Sequence, residues 1–214
     1  VRRAAVLVSG SGSNLQAIID AVASGALDLE LALVLSNNDD AYGLARARQS
    51  AVEARCVSHR AFPDRASFDE AIAAEIESVH ADLVLLAGFM RILTPAFVAR
   101  YAGRLLNIHP SLLPRHPGLD THRRALQAGD SLHGCTVHFV TAELDGGPRI
   151  IQGRVPVLPD DNADSLAQRV LAVEHRIYPE AVQLVVEGRI TYADNAAWLD
   201  GNALHEPIQL PFQD

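Results

Sequence analysis

The sequence predicts an α/β protein: a doubly wound, mostly parallel sheet with an antiparallel hairpin added in the C-terminal half. Three observations point there. Continuous apolar runs of strand length recur along the chain, helical periodicity fills the gaps between them, and the rhythm changes to paired strands after residue 130.

The elements follow in order. Ala4–Ser9 is an apolar run that stops at Gly10-Ser11-Gly12-Ser13-Asn14, as suits a strand buried on both faces. Leu15–Ala23 carries Leu15, Ile18, Ile19 and Val22 at helical spacing and ends before Gly25. Leu29–Leu35 reads as a strand, Tyr42–Ala51 as a helix with its arginines outward, and Arg55–Ser58 as a short strand. Ser67–Val79 places Phe68, Ile72 and Ile76 on one helical stripe. Asp82–Ala87 is the next strand, then a short helix from Thr94 and a strand over Leu105–His109. Thr136–Val140 and Arg149–Val157 form the hairpin, joined through Asp145-Gly146-Gly147-Pro148. A last helix spans roughly Ala163–Gly188, and Pro179 is expected to break it. No shift in composition marks a boundary, so residues 1–214 are expected to form one domain.

Composition excludes several chemistries. All 18 basic residues are arginine, which removes Schiff-base catalysis and the lysine of phosphate-loop hydrolases. Net charge is −8, which disfavours nucleic acid as a partner. Cys56 and Cys135 offer neither a disulfide framework nor zinc spacing. The apolar run after Val1-Arg2-Arg3 is too short for a signal peptide or a membrane span, so a cytoplasmic protein with no membrane partner is expected.

Three clusters carry possible chemistry. The loop Gly10–Asn14 follows a strand and opens a helix, where small residues and helix N–H groups suit a phosphate. Leu15 stands where a dinucleotide fingerprint needs glycine, which argues against NAD. With no ligand, the same stretch is a strand–helix turn capped by Asn14 or Ser13. The second cluster is Asn107-Ile108-His109-Pro110, in which the amide and the imidazole share one strand face at its carboxyl end. Such a pair suits a reaction that builds charge on a carbonyl oxygen, and is equally a hydrogen-bonded strand end. The third, Glu143–Pro148, brings a carboxylate within possible reach of that imidazole or is a plain turn. His116, His122, His133 and His138 crowd the same stretch without metal-ligand spacing, so no metal is expected.

These blocks strongly resemble the folate-dependent formyltransferases. The resemblance rests on Leu86–Leu93, on Leu106–Pro114, on Val137–Val140 and on Glu143–Pro148, and runs in register to Asn195–Gly201. The Ser9–Gln16 opening narrows it to the branch that formylates a phosphoribosyl glycinamide in purine synthesis. The resemblance implies direct transfer of a formyl group from 10-formyltetrahydrofolate to the substrate amine, with Asn107, His109 and Asp145 as the catalytic triad. It implies that Gly12, Ser13 and Asn14 hold the phosphate and that Leu171, Ala172, Val173 and Glu174 complete the ribonucleotide site. On the helix, Glu174 falls about 80° from Leu166 and borders the buried stripe, and a solvated acid is the other reading. For folate, the resemblance implies Arg65, Met90, Arg91, Ile92 and Leu93, and the loop Thr141, Ala142, Glu143, Leu144 and Asp145 together with Asn107. Read alone, Met90, Ile92 and Leu93 are plain core and Arg65 a surface charge. The partners implied are small-molecule substrates, and a monomer or a homodimer suits the family.

One position departs from the family. Asp120 stands where His-Thr-His is usual, and an acid close to Asp145 is expected to shift the acidic limb of the pH–rate profile. Three other functions are weighed. Formylation of initiator tRNA requires an added RNA-binding domain, for which the chain is expected to leave no room. Hydrolysis of formyltetrahydrofolate is associated with an added N-terminal domain, whereas strand signals here begin at Ala4. A sensor that binds a phosphate ligand without catalysis would not need the triad.

Overall fold

The computed structural model describes residues 1–210, which pack as two compact units, Val1–Asn107 and a second beginning at Ile108. Elements of the first unit are β1 (Arg2–Val8), α1 (Ser13–Ala23), β2 (Leu29–Ser36), α2 (Tyr42–Gln49), β3 (Ala54–Cys56), α3 (Arg65–Ser78), β4 (Leu83–Leu86) and α4 (Pro95–Arg100). A single 3₁₀ turn, His59–Ala61, precedes α3. The strand β5 (Leu105–His109) closes the first unit and runs on into the second. Within the first unit the strands are all parallel, β2 lying between β1 and β3, and β4 between β1 and β5. Their order is thus 3-2-1-4-5, and the chain reverses its winding at the gap between the carboxyl ends of β1 and β4, where open α/β sheets bind ligands. Ala4–Val8 and Leu83–Leu85 are almost wholly buried, which is why they read as unbroken apolar runs.

The second unit contains α5 (Thr121–Gln127), β6 (Leu132–Phe139), β7 (Arg149–Pro156), α6 (Ala163–Val186), β8 (Ile190–Ala193), β9 (Ala196–Leu199), β10 (Asn202–Ala203) and β11 (Ile208–Leu210). The expected hairpin is present, with β6 antiparallel to β7, and β11 adds in parallel to the far side of β7. Strands β8, β9 and β10 form a separate antiparallel sheet that the sequence reading did not predict, and α5 was also missed. Helix α6 lies close against β7 because Gly153 has no side chain: a Cβ there would stand 2.1 Å from Val173 Cγ1.

Pro179 does not break α6, which is one helix of 24 residues. The proline removes one helix hydrogen bond, a cost of about 3 kcal/mol. Burial of Ile177, Tyr178, Ala181, Val182 and Val185 around it offsets that loss. The start of α6 is fixed by Asn162, whose side chain accepts from Asp164 N and Ser165 N while Ser165 Oγ accepts from Asn162 N. Among the described residues no helix is long and apolar enough to cross a membrane.

Candidate active site

The glycine loop leaves β1 at the winding switch and enters α1 through Gly12, which sits in the left-handed region at φ 68°. Neither Ser13 nor Asn14 caps the helix, unlike the ligand-free reading of the sequence: Gly12 is the N-cap residue and no side chain makes a capping bond. A cap side chain would occupy the amides that an anion needs, so glycine here favours a ligand over a closed turn. Ser9–Asn14 line a cavity of ≈ 210 Å³ together with Ala87, Gly88 and Met90. Ser9 ties the two sides of that cavity. Its N–H donates to Gly88 O (3.1 Å), and its Oγ accepts from Met90 N (2.8 Å) and donates to Asn37 Oδ1 (2.6 Å).

The segment after β4 is not core. Met90 and Ile92 are 66% and 62% exposed, and Leu144 in the second unit is 57% exposed. Met90, which lines the cavity, is an apolar side chain left open in a way that suits a flat hydrophobic ligand better than packing. Arg65, exposed at the first turn of α3, points an N–H at Ile92 O (3.5 Å), so the structure brings Arg65 to the Met90–Leu93 segment. Buried Asp69 fixes the far end of that segment by accepting from Thr94 N (2.6 Å).

Strand β5 carries Asn107, half-buried, and His109, nine-tenths buried, on alternate positions. Within the second unit the Asp145 carboxylate meets His109: Oδ2 lies 3.5 Å from Nδ1, with both side chains under 10% exposed. The other ring nitrogen, Nε2, donates to His116 O (3.0 Å). Asp145 is held in place by Gly118, whose N–H donates to Oδ2 (2.8 Å). The turn itself is tight, with Asp145 at φ 51° and buried Gly147 where a Cβ would strike Phe139 O.

A second imidazole, His138 on β6, stands 3.8 Å from Asp145 Oδ1. Complete burial pushes its pKa down to about 4, His109 adding to the effect against the pull of Phe139 O and Asp145, so it stays neutral at physiological pH. Its Nδ1–H donates to Phe139 O (2.9 Å). The sequence reading passed over His138 as one of a histidine crowd. The available signal was strand alternation, which puts it on the same face as Thr136, and Thr136 itself bonds Ser111 O (2.7 Å) in the loop after β5.

The other histidines of that stretch, His116, His122 and His133, are engaged with neighbours. His116 Nε2 bonds Asp130 (2.7 Å), which also pairs with Arg115. His122 Nδ1 and His133 Nε2 lie 3.1 Å apart. Burial, reinforced by the imidazoles around it, pushes His133 down to about 4, and burial lowers His122 as well. The loop carrying His116 is pinned by Gln152, whose Nε2 donates to Leu113 O (2.7 Å) and to Thr136 Oγ1 (3.0 Å).

Asp120 is exposed at the head of α5, in the left-handed region at φ 56°, and its side chain makes no capping bond. Asp145 faces His109 and His138 and accepts from the Gly118 amide, and Asp120 stands exposed two residues beyond Gly118. Glu174 is buried on α6, with 7% exposed, beside Cys135, whose thiol it helps push upward. The solvated reading of Glu174 is thereby overturned. Leu171 and Val173 are half-buried beside it and Ala172 faces solvent, while Thr141 is half-buried and Ala142 and Glu143 are exposed.

Comparison with known proteins fits this arrangement. Phosphoribosylglycinamide formyltransferase of Escherichia coli (strain K12) is 53% identical over 199 residues, covering 93% of this chain and 94% of its own length. The Haemophilus influenzae protein of the same name is 47% identical and covers 95% and 96%. Among solved structures, phosphoribosylglycinamide formyltransferase of Coxiella burnetii superposes with a TM-score of 0.94 at 46% identity, covering 98% of this chain and 99% of that one. Residues 2–182 match the formyl transferase family, and the chain belongs to it.

Proposed function

We propose that this protein transfers the formyl group of 10-formyltetrahydrofolate to the amine of N1-(5-phosphoribosyl)glycinamide, giving the formylated ribonucleotide and tetrahydrofolate in purine synthesis. The observation that carries the reading is the His109–Asp145 pair, in a chain 53% identical nearly end to end to a formyltransferase of that name.

The substrate's neutral amine attacks the formyl carbon, so no enzyme nucleophile is needed, and a lysine-free chain is no obstacle. Asn107 donates its amide N–H to the formyl oxygen as that oxygen gains charge. His109 shares this task as an imidazolium: one N–H faces Asp145, and the other turns to the oxyanion. His116 O accepts that second N–H, and productive binding would exchange this loop carbonyl for the reacting oxygen. The new C–N bond forms, the amine loses a proton, and the bond from carbon to the folate nitrogen breaks as His109 relays a proton toward it. Asp145 remains ionised and orients the ring.

Gly12, Ser13 and Asn14 bind the phosphate through main-chain amides, and Glu174 accepts from the ribose hydroxyls, with Leu171, Ala172 and Val173 beside it. The exposed Met90 and Ile92, with the main chain of Arg91 and Leu93, take the pterin. Thr141, Ala142, Glu143 and Leu144 cover it, and Arg65 meets the glutamate tail. Purified protein supplied with both substrates is expected to release deformylated folate only when the ribonucleotide amine is present. Release without the amine would instead make the protein a hydrolase, and binding without release would make it a sensor.

A further inference from the structure

The glycine loop is gripped from behind by α2. Gly43 N–H donates to Gly10 O (3.0 Å), and Arg46 Nε donates to Ser11 O (2.8 Å). Two successive carbonyls therefore turn toward α2. Both peptides are trans, and in a planar trans peptide the N–H points opposite the C=O. The amides of Ser11 and Gly12 thus face away from α2. That is the side on which Ser9–Asn14 line the cavity, a lining to which neither Gly43 nor Arg46 contributes. Successive amides aimed one way form a concave anion site.

The guanidinium is itself held. Arg46 NH1 donates to Gln16 Oε1 (3.2 Å), and its carbon sits 4.8 Å from the centre of the Tyr42 ring. It forms no ion pair with a carboxylate among the described residues, so its charge is not neutralised locally. The approach of α2 also depends on the absence of a side chain at Gly12, where a Cβ would stand 2.6 Å from Gly43 Cα.

We infer that Arg46 is a positioning residue for the ribonucleotide phosphate: its two-donor grip on Ser11 and Gln16 turns the Ser11–Gly12 peptide so that its amide meets the anion. Its charge adds to the field behind the loop. This rests on reading the loop as the phosphate site, and the test separates the two ideas. Arg46→Met keeps the length and removes donors and charge. Arg46→Lys keeps the charge without the planar fork.

In Arg46→Met, KM for the ribonucleotide is expected to rise about tenfold, the equivalent of one charge-assisted hydrogen bond. The kcat and the KM for folate should stay within about twofold, since neither is set by the loop amides. Arg46→Lys should recover only part of the loss. An unchanged ribonucleotide KM in Arg46→Met, or full recovery by lysine, would overturn the inference. So would a lowered Tm with both KM values displaced together, which would mark a purely structural residue. Amide spectra of the unmodified protein titrated with ribose 5-phosphate distinguish the failures. If the Ser11 and Gly12 signals do not move, the phosphate reading itself falls. If they move with equal affinity in the unmodified protein and in Arg46→Met, only the role of Arg46 falls.

Discussion

The glycine loop of the first unit and the Asp145 turn of the second solve opposite problems with opposite materials. The loop presents main-chain amides, is written in consecutive residues, and its known supports (Ser9, Gly43, Arg46, Gly88) are neutral groups or an arginine. The Asp145 turn gathers side chains from distant positions, Asp145, His109 and His138, with a carbonyl from His116 and an amide from Gly118. Amide dipoles carry no titrating proton, whereas the buried imidazoles of His138 and His133 take one up as the pH falls toward about 4. One region should set substrate affinity almost independently of pH, and the other should set chemistry and acid sensitivity.

Removing a group from each region separates those roles most sharply. His109→Ala and Asp145→Asn are expected to lower kcat by about 10²- to 10⁴-fold, the usual worth of a positioned acid–base group, with the ribonucleotide KM little moved. Steady-state kinetics against both substrates would check this, and a dominant rise in ribonucleotide KM in either variant would break the comparison.

Acid should weaken the second unit in particular. His133 is buried with a pKa near 4 against an ordinary 6.5, facing His122, His116, His109 and Asp130. Below pH 6.5 the unfolded chain takes up a proton there that the folded chain refuses until about pH 4, so stability falls across that window and levels below it. His133 alone accounts for about 3 kcal/mol. His138 acts in the same direction. Urea unfolding at pH 7 and pH 4.5 reads the loss, and hydrogen exchange should locate it around β6. A His133→Leu variant that remains equally acid-sensitive would contradict this account.

A smaller effect is expected at Ser9, whose hydroxyl bonds both Met90 N and Asn37. Ser9→Ala leaves the Met90 amide without that acceptor, worth about 1 kcal/mol. Because Ser9 joins the loop to the Met90 segment, both KM values should rise about threefold to fivefold. A change confined to one substrate would show that the tie is not shared.

Legibility in the sequence followed the same divide. Apolar runs marked β1, β2, β4 and β5 because those strands are buried on both faces, and Gly10–Asn14 was visible because a backbone site must be built from small local residues. Asp145 and His109 were paired through family resemblance, since 35 residues of intervening chain hide their contact from any local pattern. Helix α5 was missed because Thr121–Gln127 buries only Thr121 and Ala125, too few for a periodic signal. The small sheet β8–β10 was missed because its strands are short and half-exposed. Arg46 looked like an outward arginine of α2, and only the loop's carbonyls reveal its use.

The least effect is expected where the sequence suggested a coupling. Asp120→His restores the residue usual in the family, and a second acid touching Asp145 would have made this variant shift the acidic limb of the pH–rate profile. Asp120 is instead exposed, and Asp145 accepts from the Gly118 amide and faces His109 and His138. A solvated carboxylate acts through water and salt, where the energy of a charge pair is about 1 kcal/mol or less. Profiles of Asp120→His and the unmodified protein are expected to coincide within about 0.3 pH at 0.15 M salt. A larger displacement that vanished in 1 M salt would show that Asp145 feels charge through solvent, extending its sensitivity beyond the three groups that touch it.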